Sequence, residues 1–414
     1  MTKLISDEYV KLNAELHKQR HGYGNSATRF ADDIGKVLQK YHTLSFLDYG
    51  CGKESLYAYL YSRFPNVTDR ADYVGYDPAI PERSKKDPDR VFDMVVSTDV
   101  LEHIEPEYLT AVLEDMKKHT GKAIYLNICM RPSGDILPDG RNAHLIVQEA
   151  DWWEEQLKAV FDGWGYEVRD VLDSWRNYTV VLTRPKKPLP LTIACFYWQN
   201  ESARYPGWGN KDLAKTYVLN LFNGVKRNLP NRTMNFILFS NDLEDVHPEI
   251  TIRKFTPVSW TGCFPKLYAH SPDAELEGRV LVFDLDTVIV GDLTDFAEYD
   301  GGFTTRMEAN KRTSGGDLLG FEAGVTYQLW ENYKNISKFV EKYDGDEREV
   351  YDLLWRRKML FWEEELPTQL VSYKRHVRRN NDCLPPNARI VSMHGRPRPH
   401  ETKLDWIDKH WWGK

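Results

Sequence analysis

The sequence predicts an α/β protein of two domains, each with a largely parallel sheet layered by helices. Three observations carry this. Short apolar, β-branched runs alternate with helical patterns through both halves of the chain. The segment Arg184–Pro190 has three prolines in seven residues, which blocks helix and ladder formation and suits an extended connector. Two apolar strands end in acid-bearing turns, D-x-G-x-G at 48–52 and D-x-D at 284–286, and ligands bind at such strand ends in open α/β sheets. The expected division is a domain over 1–185, a connector over 186–190 and a domain over 191–414. A chain of 414 residues suits that count.

Composition narrows the classes. With 41% hydrophobic and 28% charged residues the chain can build cores and a solvated surface. No stretch approaches the ~20 consecutive apolar residues of a membrane helix, and the first twenty residues hold no apolar signal core, so a cytoplasmic location is expected. Five dispersed cysteines without a C-x-x-C pair indicate neither a disulfide framework nor a structural zinc site. The acidic excess lies before Pro185, with 23 Lys and Arg against 30 Asp and Glu; after it the counts are 32 and 32. That acidity disfavours nucleic acid as the main partner. Against it stands a local cationic stripe: Lys374, Arg375, Arg378, Arg379, Arg389, Arg396 and Arg398, with only Asp382 among them.

In the first domain, strand Leu44–Asp48 runs into Gly50 and Gly52, which let the backbone turn sharply before a helix expected over 55–64. A second strand, 73–76, ends in Asp77, where a carboxylate can accept hydrogen bonds from both ribose hydroxyls. A third, 92–97, leads to Asp99, and a fourth, 122–128, follows a helix at 106–119. Beyond the fourth strand, Arg131, Arg141, Asn142 and His144 sit where substrates bind, and His144 is the candidate base; the competing reading has it capping the next helix, at 150–161. His103 reads as structural.

The run Asp48-Tyr-Gly-Cys-Gly52, Asp77 and Phe92-Asp-Met-Val-Val-Ser-Thr-Asp-Val-Leu-Glu-His103 resembles class I S-adenosylmethionine-dependent methyltransferases over residues 20–183; more narrowly, Tyr23-Gly24, Leu47-Asp-Tyr-Gly-Cys-Gly52, Tyr76-Asp-Pro-Ala-Ile-Pro81, Asp99-Val-Leu-Glu-His-Ile104 and Pro138-Asp-Gly-Arg-Asn-Ala-His144 look like a group of such domains common in bacteriophage and bacterial genomes. The resemblance implies a Rossmann-like fold, with Asp48, Gly50 and Gly52 holding the methionine moiety of S-adenosylmethionine, Asp77 the ribose, and Asp99 with its neighbours the adenine edge. Methyl transfer itself needs no metal. A dehydrogenase is the weaker reading, because the third glycine of its fingerprint is missing.

In the second domain, strand Thr192–Tyr197 is followed by a Gly- and Trp-rich loop, a helix at 212–229 and strands at 235–240 and 251–255. The apolar run Arg279–Phe283 then reaches Asp284 and Asp286. On an extended backbone residues two apart point the same way, so both carboxylates are expected to face one Mg2+ or Mn2+ beneath a diphosphate. A phosphatase also uses D-x-D, but on an early strand. His394, in His-Gly-Arg-Pro-Arg-Pro399, is the candidate third ligand; Arg396 or Arg398 would neutralise a departing diphosphate.

This constellation resembles GT-A glycosyltransferases of the glycogenin and lipopolysaccharide galactosyltransferase type over 190–400, also Rossmann-like, with arginine where that family has lysine. The resemblance implies a UDP-sugar donor, Lys266 as the helix-borne basic residue, and Asp317 and Gln369 as acceptor-pocket residues, with retention of configuration. The two resemblances together imply a bifunctional methyl- and glycosyltransferase acting on a glycan or small hydroxyl acceptor. The alternatives are the same chemistry on a modified phage DNA base, in a host cytoplasm, or a first domain that docks without catalysing. Oligomeric state is not legible.

Overall fold

A computed structural model describes residues 3–20, 22–169, 176–186, 189–199, 210–260, 262–308, 313–340, 347–356 and 358–414. Part of the Pro-rich connector (187–188) and most of the Gly- and Trp-rich loop (200–209) lie outside the described residues. The chain divides into compact units at Met1–Lys187 and Pro188–Lys414.

Among its described residues the first unit is built on six strands: β1 Ser45–Tyr49, β2 Asp72–Tyr76, β3 Phe92–Thr98, β4 Thr120–Cys129, β5 Gly165–Arg169 and β6 Asn177–Thr183. Their order is β2-β1-β3-β4-β6-β5. The first four run parallel; β6 pairs antiparallel with both β4 and β5. Buried side chains alternate along β1. Phe46 joins the core on one face, beneath helix α2 (Ala31–Lys40) and helix α3 (Ser55–Arg63), and Leu47 and Tyr49 join the core on the other. That second core is closed by helix α4 (Leu109–His119) and helix α5 (Ala150–Val160). An N-terminal helix, α1 (Asp7–Gln19), starts on Ser6, whose hydroxyl accepts from the Tyr9 amide, and buries Tyr9 and Leu16 in a small separate cluster.

Among its described residues the second unit has ten strands: β7 Leu191–Tyr197, β8 Met234–Ser240, β9 Ile250–Arg253, β10 Arg279–Phe283, β11 Thr287–Ile289, β12 Thr304–Met307, β13 Ser314–Glu322, β14 Leu360–Phe361, β15 Leu370–Ser372 and β16 Ile390–Ser392. Seven form a sheet in the order β14-β12-β13-β10-β7-β8-β9; β11, β16 and β15 form a smaller one. The sheet is mixed where the sequence suggested parallel strands. β10, β7, β8 and β9 are parallel, but β13 runs antiparallel to both β10 and β12. After β10 the chain leaves for the small sheet and returns in β12, which runs in the direction of β10; β13, the next strand along the chain, then pairs between these two and antiparallel to both. Helix α6 (Lys211–Asn228), capped by the Asn210 side chain, buries Tyr217, Leu221 and Phe222 in the core shared by both sheets.

Candidate functional sites

In the first unit, the chain leaves β1 through Gly50 at φ +84° and Gly52 at φ +49°. The amides of Gly50 and Cys51 both donate to the Tyr76 carbonyl, at 2.8 and 3.1 Å, which ties the turn to the end of β2. A Cβ on Gly50 would stand 2.3 Å from a Val100 methyl, so no side chain fits there. The buried Asp77 accepts from the Gly52 amide (3.1 Å) and the Ala79 amide (2.9 Å). Gly50, Gly52, Asp77, Asp99, His103 and His144 all line one cavity of about 350 Å3, within the size range of small-ligand sites. Helix α1 adds Tyr9, Asn13 and His17 to its wall.

Asp99 adopts φ +51°, uncommon for a residue with a side chain. Burial raises its carboxyl pKa, opposed by a bond from Ser26 and by the charges of Arg29, His144 and Arg131. The His144 ring nitrogen Nδ1 lies 2.6 Å from the Arg131 carbonyl. Since a carbonyl only accepts, Nδ1 carries the proton and Nε2 a lone pair. Burial holds His144 below the usual histidine range. His103, expected to be structural, also lines the cavity. Its Nδ1 donates to the Ala143 carbonyl (2.7 Å), burial and the neighbouring His144 push it down to about 3, and the two rings meet edge to face at 4.6 Å.

Asp48 corrects the expectation. It is 2% exposed, receives a hydrogen bond from the Tyr73 hydroxyl at 3.4 Å, and is not among the cavity-lining residues. It shares the strand face of Phe46, whereas Tyr49, one residue on, lines the cavity. Burial pushes its carboxyl up to about 7, with the Tyr73 bond opposing and the Asp77 charge adding. Asp48 therefore supports the turn from behind.

In the second unit, Asp284 and Asp286 do not lie on extended backbone. β10 stops at Phe283, and the Thr287 amide donates to the Asp284 carbonyl at 3.1 Å, so both acids sit in the turn that carries the chain into β11. They are close enough that the charge on Asp284 helps raise Asp286, whose carboxyl is pushed up to about 7 by burial first and by Asp284 second, with Arg398 opposing. Lys266 is buried: its Nζ lies 2.7 Å from Asp284 Oδ1 and 2.6 Å from Glu347 Oε1, and donates to the Gly316 carbonyl at 3.1 Å. Glu347 was not singled out from the sequence. Its helix begins there, far from the D-x-D in sequence, and no local pattern marks it.

His394 does not complete a three-ligand set. Its Nε2 is hydrogen-bonded to the Ser372 hydroxyl at 3.0 Å, and among the described residues it forms no close group of ligand atoms with Asp284 and Asp286. Burial keeps the ring below the usual histidine range. The two half-buried acids fit a hard divalent cation: the Asp284 charge opposes ionisation of Asp286, and a cation beside them would relieve that cost where Lys266 reaches Asp284 alone. Of the two arginines, Arg398 faces Asp286, whereas Arg396 is exposed and lies 3.8 Å from Glu401.

Two acceptor-pocket expectations are corrected. Asp317 is buried with both oxygens engaged, one by the Arg306 guanidinium and one by the Ser392 hydroxyl. Its backbone carbonyl accepts from the Asp284 amide at 3.0 Å, so it anchors the acidic turn while Arg306 and Ser392 hold its carboxylate. Gln369 lies at the wrong end of the small sheet. Register places Thr287 and Ser372 both opposite Ser392, at the acidic end, whereas Gln369 precedes β15 and its amide nitrogen donates to Asp295 at 2.7 Å.

Residues 17–171 match the family model described as a methyltransferase domain. The match lies within the first unit. No curated protein matches the chain. Among solved structures, the chain is similar to the galactosyltransferase LgtC with donor and acceptor sugar analogs, at 12% identity over 50% of this chain and 88% of that one, TM-score 0.35. It is similar also to the glycosyltransferase GlyE of Streptococcus pneumoniae, at 15% identity over 54% and 60%, TM-score 0.38. A third is the 1,6-didemethyltoxoflavin-N1-methyltransferase of Burkholderia thailandensis with bound S-adenosylhomocysteine, at 14% identity over 45% and 93%, TM-score 0.33. Among the described residues, no helix is long and apolar enough to cross a membrane.

Proposed function

We propose that the chain is a bifunctional transferase: the methyltransferase domain moves a methyl group from S-adenosylmethionine, and the second unit moves a sugar from a nucleotide-diphosphate donor, a UDP-sugar in the first instance. The observation that carries the second half is the acidic turn between two sheets, where Asp284 and Asp286 lie half-buried and close enough for the charge on one to raise the other, with Arg398 on the side of Asp286. Such a pair is stable when it holds a cation.

In the first unit, Gly50 and Gly52 let the backbone approach the donor, and Asp77 stands ready for ribose hydroxyls. His144 opens its Nε2 lone pair towards the cavity, where it can take the proton of an acceptor hydroxyl. In the second unit, Asp284 and Asp286 would hold Mn2+ or Mg2+, which supplies Lewis-acid stabilisation of the leaving diphosphate. Arg398 adds positive charge on that side, and Lys266 fixes Asp284 in place.

A glycan or small hydroxyl acceptor is favoured over DNA. Within the cationic stripe, Arg375 is taken by Glu308, which also binds Arg306 and Arg348. The test is Mn2+-dependent hydrolysis of nucleotide-sugars by Asp284→Ala and Asp286→Ala. Loss of hydrolysis with unchanged S-adenosylmethionine affinity supports the assignment; metal-dependent sugar release that persists in both variants refutes it. Calorimetry with S-adenosylmethionine separates catalysis from a docking role in the first unit, and DNA affinity at 50 mM salt separates the two acceptors.

A further inference from the structure

We infer that the methyltransferase cavity contains its own cation site, in which Glu102, Cys129 and His144 bind one zinc-type divalent ion. These residues come from the segment after β3, the end of β4 and the loop beyond it. Their ligand atoms all lie within 4.8 Å of one another, a grouping that stands alone among the described residues.

Each ligand is prepared for the task. His144 gives its Nδ1 proton to the Arg131 carbonyl, which leaves Nε2 bare; a backbone carbonyl is the usual outer partner of a metal-binding imidazole. Glu102 is 0% exposed. Its Oε1 accepts from the Cys129 amide at 3.0 Å, and its Oε2 is buried with no hydrogen-bond partner. An orphaned buried carboxylate oxygen is costly unless something binds it. The Cys129 sulfur makes only a 4.0 Å contact with the Arg131 carbonyl. One oxygen, one nitrogen and one sulfur donor suit zinc. Cys129 and His144 line the cavity, so the fourth coordination position opens into it, as in zinc sites that act on substrates.

This deepens the reading of the first unit and rests on it only for the transfer step. An acceptor hydroxyl or thiol entering the open position loses its proton to water, and its anion attacks the sulfonium methyl. The new C–O or C–S bond forms as the methyl–sulfonium bond breaks, and neutral S-adenosylhomocysteine departs. With the ion bound, the His144 Nε2 lone pair is a ligand, and the proton-accepting role proposed for it above applies to the metal-free site.

The full chain, stripped of metal with a chelator, is titrated with Co2+, whose thiolate charge-transfer absorption reports a cysteine-bound ion and is silent for carboxylate sites. The band should appear with one equivalent in the wild-type chain and in Cys383→Ser, where the exposed thiol is removed. It should vanish in Cys129→Ser, and the affinity should fall at least about tenfold in Glu102→Gln and His144→Ala. Absence of the band, its survival in Cys129→Ser, or unchanged affinity in Glu102→Gln overturns the site. Thermal melting of the same variants reports folding, and failure of the wild-type chain to bind S-adenosylmethionine in calorimetry would overturn the methyltransferase reading without affecting the cobalt result.

Discussion

Gly52 and Gly24 meet backbone to backbone: a Cβ on Gly52 would stand 2.5 Å from the Gly24 carbonyl oxygen and 2.8 Å from its Cα. The same carbonyl accepts from the Lys53 amide at 3.1 Å. The N-terminal segment is thereby laid across the glycine turn, and the cavity wall from α1 depends on that crossing.

Gly52→Ala should therefore weaken S-adenosylmethionine binding at least about tenfold. The methyl has no room against backbone, and φ +49° adds about 1–2 kcal/mol of strain. Calorimetry checks this, and wild-type affinity in the variant would contradict the crossing.

Asp48 gives the first unit a pH dependence. Its carboxyl is held up to about 7, above the ~3.9 of an unfolded aspartate, so its stabilising contribution is complete below about pH 4 and is lost as pH rises to 7. The slope is at most about 1.4 kcal/mol per pH unit. Asp48→Asn, which mimics the protonated acid, should flatten the dependence of Tm on pH across that window. An unchanged profile would mean the group titrates elsewhere.

Asp317→Asn tests an anchor against a substrate-binding role. Removing the charge leaves the buried Arg306 with Glu308 as its remaining carboxylate partner and weakens a charge-assisted hydrogen bond, which costs about 1.5–3 kcal/mol. Melting of the second unit should fall by on the order of 10 °C. A variant with wild-type stability and selectively lost turnover would restore Asp317 to the acceptor pocket.

Gln369→Ala should leave nucleotide-sugar hydrolysis within about twofold of wild type, because its side chain is engaged with Asp295 away from the acidic turn. A larger change in kcat, measured by nucleotide release, would place it at the site after all.

What the sequence revealed and concealed follows from the range of the interactions. The glycine turn, Asp77 and the strand ending in D-x-D are written in short stretches, and the structure brings Gly50, Gly52, Asp77 and Asp99 to one cavity. The facing of Asp48 was missed because strand phase is set by which core Phe46 enters, a tertiary matter. A straight strand would point Asp284 and Asp286 the same way, but the backbone bends at that point. The partnership of Lys266 with Glu347, the crossing of Gly24 over Gly52 and the gathering of Glu102, Cys129 and His144 join distant segments, and no spacing rule announces them.

The acidic turn is also a joint. β10 belongs to the large sheet and β11 to the small one, while His394 follows β16 of the small sheet. Any sliding of one sheet over the other must alter the gap between the carboxylates and the imidazole together with Arg398. Donor affinity in this unit would thus report the alignment of its two layers, and substitutions deep in the core between them, at Val288 or Val391, could tune it from a distance.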